Sequence, residues 1–82
     1  MKKVKFEGNT NIISRNLKEI RVSKNISQQE LAAKLQTLNV SMDQQMISKI
    51  EKNLRQVNDY ELLAICKCLE VTPEELTNGI FE

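Results

Sequence analysis

The feature that most limits what this chain can become is the density of its helix-start signals. Ser27-Gln28-Gln29-Glu30 fits the capping box S-x-x-E, in which the serine hydroxyl accepts from the glutamate amide while the glutamate side chain reaches back to the serine amide. Thr72-Pro73-Glu74-Glu75 is a second such start, with proline at the first helical position, where an N–H has no intrahelical partner anyway. Asp43 precedes a third apolar stripe, and Asn58 or Asp59 a fourth. Starts this closely spaced admit only short helices, each of which must bury a stripe against its neighbours.

The apolar spacing fills in the elements. After Asn9-Thr10-Asn11, any of which can cap, Ile13, Leu17 and Ile20 mark a first helix over roughly residues 11–24, with Asn25 as a left-handed stop. Helix two is predicted over 28–38, buried through Leu31, Leu35 and Leu38, with Ala32 and Ala33 beside the stripe and an Ile26–Leu31 staple at its entry. Residues 39–42 read as a connection. Helix three starts from Asp43, buries Ile47, Ile50 and Leu54, and stops at Asn53, leaving Gln44, Gln45, Ser48, Lys49 and Lys52 exposed. Helix four buries Leu62, Ile65, Cys66 and Leu69, and a short helix five ends by Asn78-Gly79. Residues 1–9 lack helical periodicity and form a basic arm, in which Val4 and Phe6 alternate with charges as a brief edge strand would. The expectation is an all-α, compact five-helix bundle: one domain over residues 10–79, with a short tail over 80–82.

Composition excludes other classes. Only three aromatic residues (Phe6, Tyr60 and Phe81), no Trp, 2 Gly and 1 Pro disfavour a sandwich or barrel. No stretch approaches the ~18 apolar residues of a membrane span, and the charged start lacks the apolar segment of a secretory signal, so the expected location is cytoplasmic. Cys66 and Cys68, two apart in a helix, project ~200° from each other and cannot close on one ion. With no His in the chain, no metal site and no cofactor is expected, and the thiols read as small core residues. Nothing resembles a phosphate loop or a nucleophile beside a base, so no enzyme is expected. The net charge is only +1, but it is lopsided: residues 1–24 hold seven Lys/Arg against two acids, and residues 57–82 one Lys against six acids. That permits a nucleic-acid partner without establishing one.

Four pieces in order carry a resemblance: Ser27-Gln-Gln-Glu-Leu-Ala-Ala-Lys-Leu35, Met46-Ile-Ser-Lys-Ile-Glu51, Tyr60-Glu-Leu-Leu-Ala-Ile65, and Leu69-Glu-Val-Thr-Pro-Glu-Glu-Leu76. Together they resemble the Xre family, the Cro and phage-repressor type of helix-turn-helix domain, over about residues 10–78. The resemblance implies a lambda-repressor-like fold in which helices two and three form the DNA-reading pair. It implies a small transcriptional regulator, expected to be a repressor, that binds double-stranded DNA at a two-fold operator as a homodimer.

On that pattern Gln44 and Gln45 open the recognition helix, where an amide that donates and accepts together matches the N6/N7 edge of adenine. Lys49 is placed for a guanine acceptor or a phosphate, and Ser48 for a base or a sugar. Met46 either meets a thymine methyl or packs back on helix two. Gln28 matches the family residue that fixes helix two to the backbone, and Lys52, Asn53 and Arg55 are candidate backbone contacts or, for the two cations, solvated loop charges. Arg21 and Glu51 match positions that form a structural ion pair tying helix one to the end of helix three.

Two departures stand out. Residues 36–45 make a longer connection between the matching pieces than the family usually carries, and Gln36 replaces a usual Gly, which puts the angle of helix three in question. Glu70 stands where Gly commonly ends helix four, so that end is expected to close differently. A rival class keeps the fold without DNA binding: a protein-interaction module or antitoxin-type partner-binding protein, using the acids Asp59, Glu61, Glu74 and Glu75 or the apolar tail Ile80-Phe81. For a dimer, helix five with Leu76, Ile80 and Phe81 is the candidate interface.

Overall fold

The computed structural model describes residues 8–80 and consists of α1 (Ser14–Ser23), α2 (Gln28–Thr37), α3 (Gln44–Glu51), α4 (Asp59–Leu69) and α5 (Pro73–Leu76), with no strand among the described residues. The expected all-α five-helix architecture is therefore present. The expectations of an edge strand at Val4 and Phe6, and of an apolar contact at Phe81, lie outside the described residues. No described helix is long and apolar enough to cross a membrane.

The start signals act as their chemistry requires. Ser27 Oγ accepts from the Glu30 amide at 3.0 Å while Glu30 accepts from the Ser27 amide at 2.8 Å, and Thr72 and Glu75 repeat the exchange at α5. Asp43 accepts from the Met46 amide at 2.8 Å and so starts α3. Asn58, rather than Asp59, caps α4, and its box is completed by Glu61.

Helix α1 departs from expectation. It begins at Ser14 behind Ile13, with no side-chain cap. Asn11 instead accepts from the Ile13 amide and sends its side-chain amide to the carbonyls of Ile50 (3.0 Å) and Arg55 (2.9 Å), pinning the entry to α1 against the end of α3.

Four helices end in the same way. Asn25, Asn39, Asn53 and Glu70 all have φ near +60°. After each, the following amide bonds back to the carbonyl five residues earlier: Ile26 to Arg21, Val40 to Leu35, Leu54 to Lys49 and Val71 to Cys66. This is the Schellman closure, whose left-handed residue is tolerated best as Gly and next as Asn. The expectation that α4 would close differently is corrected: Glu70 simply takes the left-handed conformation that Gly would occupy without strain.

The core gathers Ile13 and Leu17 of the α1 region, Leu31 and Leu35 of α2, Ile47 and Ile50 of α3, Ile65 and Leu69 of α4, and Leu76 of α5, all essentially without solvent contact. Helix α2 packs on α3 and α4, while α1 packs on α3 and α5. Val40 and Met42 are buried as well, so the connection into α3 is anchored to the core at two alternate positions. Two expected core residues are not there. Leu38 and Leu54 are exposed, because each stands beyond the last helical residue: Leu38 is the capping residue just before left-handed Asn39, and Leu54 follows left-handed Asn53, which turns the chain off the stripe. Leu62 is only partly buried, as is Ile20, whereas Arg21 is buried one turn after Leu17. Cys66 is buried and Cys68 half-buried; both are free, and burial pushes both thiols up from their ordinary pKa.

Candidate nucleic-acid interface

Helix α3 is divided cleanly by its own geometry. At ~100° per residue, Gln44, Ser48, Lys52, Gln45 and Lys49 fall within an arc of ~140°, while Met46, Ile50 and Ile47 fall on the other side. The solvent follows this division: Gln45, Lys49 and Lys52 are exposed, Gln44 and Ser48 half-buried, Ile47 and Ile50 buried. Met46 is half-buried and packed against the core, so of its two expected roles the packing one is occupied. The polar arc begins at the helix N-terminus with half-buried Gln44 and continues through exposed Gln45, Lys49 and Lys52.

A hydrogen-bonded relay runs behind that arc. Arg21 donates from Nε to Glu51 Oε2 at 2.7 Å and from Nη2 to Glu51 Oε1 at 3.1 Å; its Nη1 donates to the Ile26 carbonyl at 2.7 Å. Glu51 Oε1 also accepts from Gln28 Nε2 at 3.0 Å, and Gln28 Oε1 accepts from Gln44 Nε2 at 2.6 Å. One chain of bonds thus joins α1, the end of α3, the start of α2 and the start of α3. The pair is almost fully enclosed, with side-chain exposures of 11% for Arg21 and 4% for Glu51. Such a pair adds little net stability, because desolvation offsets its attraction, but its planar geometry fixes the relative orientation of the elements it joins. Arg21, Ser27, Gln28, Gln29 and Gln44 line a shallow depression at this corner.

At the start of α2 the amides of Gln28 and Gln29 have no intrahelical acceptor, and the helix dipole adds partial positive charge beside them. Glu30 in the same turn is spent on the capping box; the serine amide and hydroxyl hold its carboxyl below the usual pKa.

Two expected backbone-contact residues are committed elsewhere. Arg55 donates from Nη1 and Nη2 to the two carboxylate oxygens of Glu61 at 3.0 and 3.1 Å, and from Nη1 to the Gln56 carbonyl. This bond holds the Glu61 carboxyl below its ordinary range despite burial, and raises the Arg55 guanidinium. The Asn53 side chain accepts from the amides of Thr10 (2.8 Å) and Asn11 (3.0 Å) and donates to the Asn9 side chain. Both residues lock the segment after α3 to the rest of the domain. Lys52 is the exposed cation of this group.

The reading of Glu61 as part of an acidic surface is also corrected, since it is buried. Asn58-x-x-Glu61 was the available signal, a capping box like the other two. No local signal announced the bond between Gln28 and Gln44, or the role of Asn11.

A family model described as helix-turn-helix matches residues 17–76. The chain belongs to the helix-turn-helix family of the Xre and phage-repressor type, a family of DNA-binding transcription regulators rather than enzymes. Among solved structures, a point mutant of the restriction-modification controller protein C.Esp1396I is 32% identical, with 89% of this chain and 96% of that one covered at a TM-score of 0.69. The restriction-modification controller protein C.AhdI from Aeromonas hydrophila is 26% identical over 78% of this chain and 86% of that one, also at 0.69. The DNA-binding domain of the P22 c2 repressor, 24% identical, shares the fold over 90% of this chain and 91% of its own at a TM-score of 0.71. No curated protein matches the chain.

Proposed function

We propose that this protein is a sequence-specific regulator of transcription that places α3 in the major groove and acts as a repressor by occupying its operator. The observation that carries this reading is the polar arc of α3, exposed from its first turn and braced from behind by the relay through Gln28. Gln44 and Gln45 contact base edges, Lys49 a base or phosphate, and Ser48 a base or sugar. The α2 amides at Gln28 and Gln29 and the Lys52 ammonium meet phosphates. One such domain covers half a site, so the protein binds a two-fold operator as a homodimer. Of the residues expected at a helix-five interface, Leu76 is wholly buried and so unavailable to a partner, Ile80 is half-buried, and Phe81 lies outside the described residues. Exposed Leu54, Tyr60 and Leu63, near the corner tied by the Arg55–Glu61 pair, suit a second copy better.

Selection of bound duplexes from a random pool tests the reading. A consensus is expected, with Gln44→Ala and Gln45→Ala each costing roughly 1–3 kcal/mol at one base position. Binding is expected to weaken steeply with added salt. If no duplex is retained at any salt, the protein-interaction module on the same fold takes precedence.

A further inference from the structure

The relay from Arg21 to Gln44 has a polarity, and one residue imposes it. An ionised carboxylate offers acceptors only. Glu51 already takes two guanidinium N–H groups from Arg21, and its Oε1 faces Gln28. Gln28 can therefore turn only its NH2 toward Glu51, which turns its carbonyl toward Gln44. Gln44 in turn can meet that carbonyl only with its own NH2. What remains to Gln44 on the exposed side is its carbonyl oxygen and one N–H. Reversing the chain would press the Gln28 carbonyl against the Glu51 carboxylate, whose side chain is 4% exposed, so water cannot readily separate the two acceptors.

We propose that Glu51 is a positioning residue for base choice: without reaching DNA, it fixes Gln44 as one acceptor plus one donor. That pair complements adenine, which offers a donor at N6 and an acceptor at N7. It opposes guanine, whose N7 and O6 both accept and which needs two donors at once. The inference rests on the reading of α3 as the groove helix, and it goes further by assigning the discrimination to an interior carboxylate two hydrogen bonds behind the surface.

Replacing Glu51 by glutamine removes the one-way constraint. A carboxamide at this position can present either its oxygen or its NH2 to Gln28, so the chain can run in both senses. In the reversed sense both N–H groups of Gln44 become available to guanine. Gln28→Met cuts the chain at its middle link and frees Gln44 in a different way.

The test uses the full chain and a pair of duplexes that differ only by A·T or G·C at the position lost in Gln44→Ala. The unmodified protein is expected to prefer adenine by about tenfold or more. In Glu51→Gln that ratio is expected to fall to about threefold or less, while preferences at the other base pairs hold. Gln28→Met is expected to lower the same ratio at the same position, and should Glu51→Gln fail to fold, an unmoved ratio in Gln28→Met overturns the proposal by itself. A merely structural Glu51 would weaken all duplexes by one factor and leave the ratio unchanged, which would overturn the proposal. So would an unmodified protein that favours guanine there. If the unmodified protein selects no duplex at all, it is the groove-reading assignment that fails, a result distinct from an unmoved ratio.

Discussion

Two bidentate ion pairs, one enclosed and one partly exposed at its arginine, brace this small domain with the same chemistry and opposite consequences. Arg21–Glu51 and Arg55–Glu61 each place two guanidinium N–H groups on two carboxylate oxygens. The second pair turns inward on the scaffold: its glutamate also completes the cap of α4, and the side-chain partners of both residues lie in the loop or the helix beside it. The first pair hands one oxygen onward to Gln28 and through it to Gln44. The lesson is that a buried ion pair acquires a functional role from its leftover hydrogen-bonding capacity. Its strength has little to do with it.

The harshest way to break the comparison is to remove each glutamate. Glu51→Ala leaves the buried Arg21 cation uncompensated and is expected to destabilise the fold by about 3 kcal/mol in urea unfolding. Glu61→Ala leaves the partly exposed Arg55, which keeps its bond to the Gln56 carbonyl, and is expected to cost less. At DNA concentrations that keep both variants folded, only the Glu51 variant is expected to alter base preference. A Glu61 variant that also changed it would erase the distinction drawn between the pairs.

Acid offers a milder probe of the scaffold pair. The Glu61 carboxyl titrates below its ordinary value because of Arg55, so its contribution is fully present above the unfolded-state pKa of about 4.3 and disappears as pH falls through the lower folded value. The stability advantage of the unmodified protein over Glu61→Gln should therefore be largest near neutrality and shrink below about pH 4 in thermal melts. An advantage that grew on acidification would contradict the sign of this linkage.

Glu70→Gly separates stability from specificity altogether. Relieving a left-handed residue that carries a Cβ is expected to raise stability by about 1 kcal/mol with the base preference untouched. If the preference moved with it, general stiffening would explain the effects assigned to Glu51.

The smallest effect belongs to a third pair, Arg15–Glu19, whose side chains are 86% and 63% exposed. Arg15→Ala is expected to change stability by no more than about 0.5 kcal/mol, since water and salt screen such a pair.

The sequence revealed what is local. Caps and boxes were legible at Ser27–Glu30, Asp43 and Thr72–Glu75 because cap and acceptor lie within one turn. The polar arc of α3 was legible for the same reason, as periodicity around a single axis. The misplaced leucines have a common cause: Leu38 and Leu54 continue the spacing of their stripes on paper, but they stand outside helices that end beside left-handed asparagines. Bonds across sequence distance were not readable from spacing. Asn11 reaches Ile50 and Arg55, and Gln28 reaches Gln44 sixteen residues away; nothing local distinguishes these amides from ordinary surface polar groups. Arg55 and Asn53 have side chains of the types that suit phosphates, and spacing alone does not show that the fold also bonds both internally.

The asparagine-terminated helices also bear on how the protein ages chemically. Deamidation begins when the amide nitrogen of the next residue attacks the asparagine side chain. After Asn25, Asn39 and Asn53 that nitrogen belongs to Ile26, Val40 or Leu54, and in each case it is already held in a bond to the preceding helix. Asn78, followed by Gly79 on the exposed final turn, has no bulky neighbour to shield it. Peptide mapping of long-stored protein should accordingly find succinimide and isoaspartate accumulating first at Asn78, with the three helix-ending asparagines still intact.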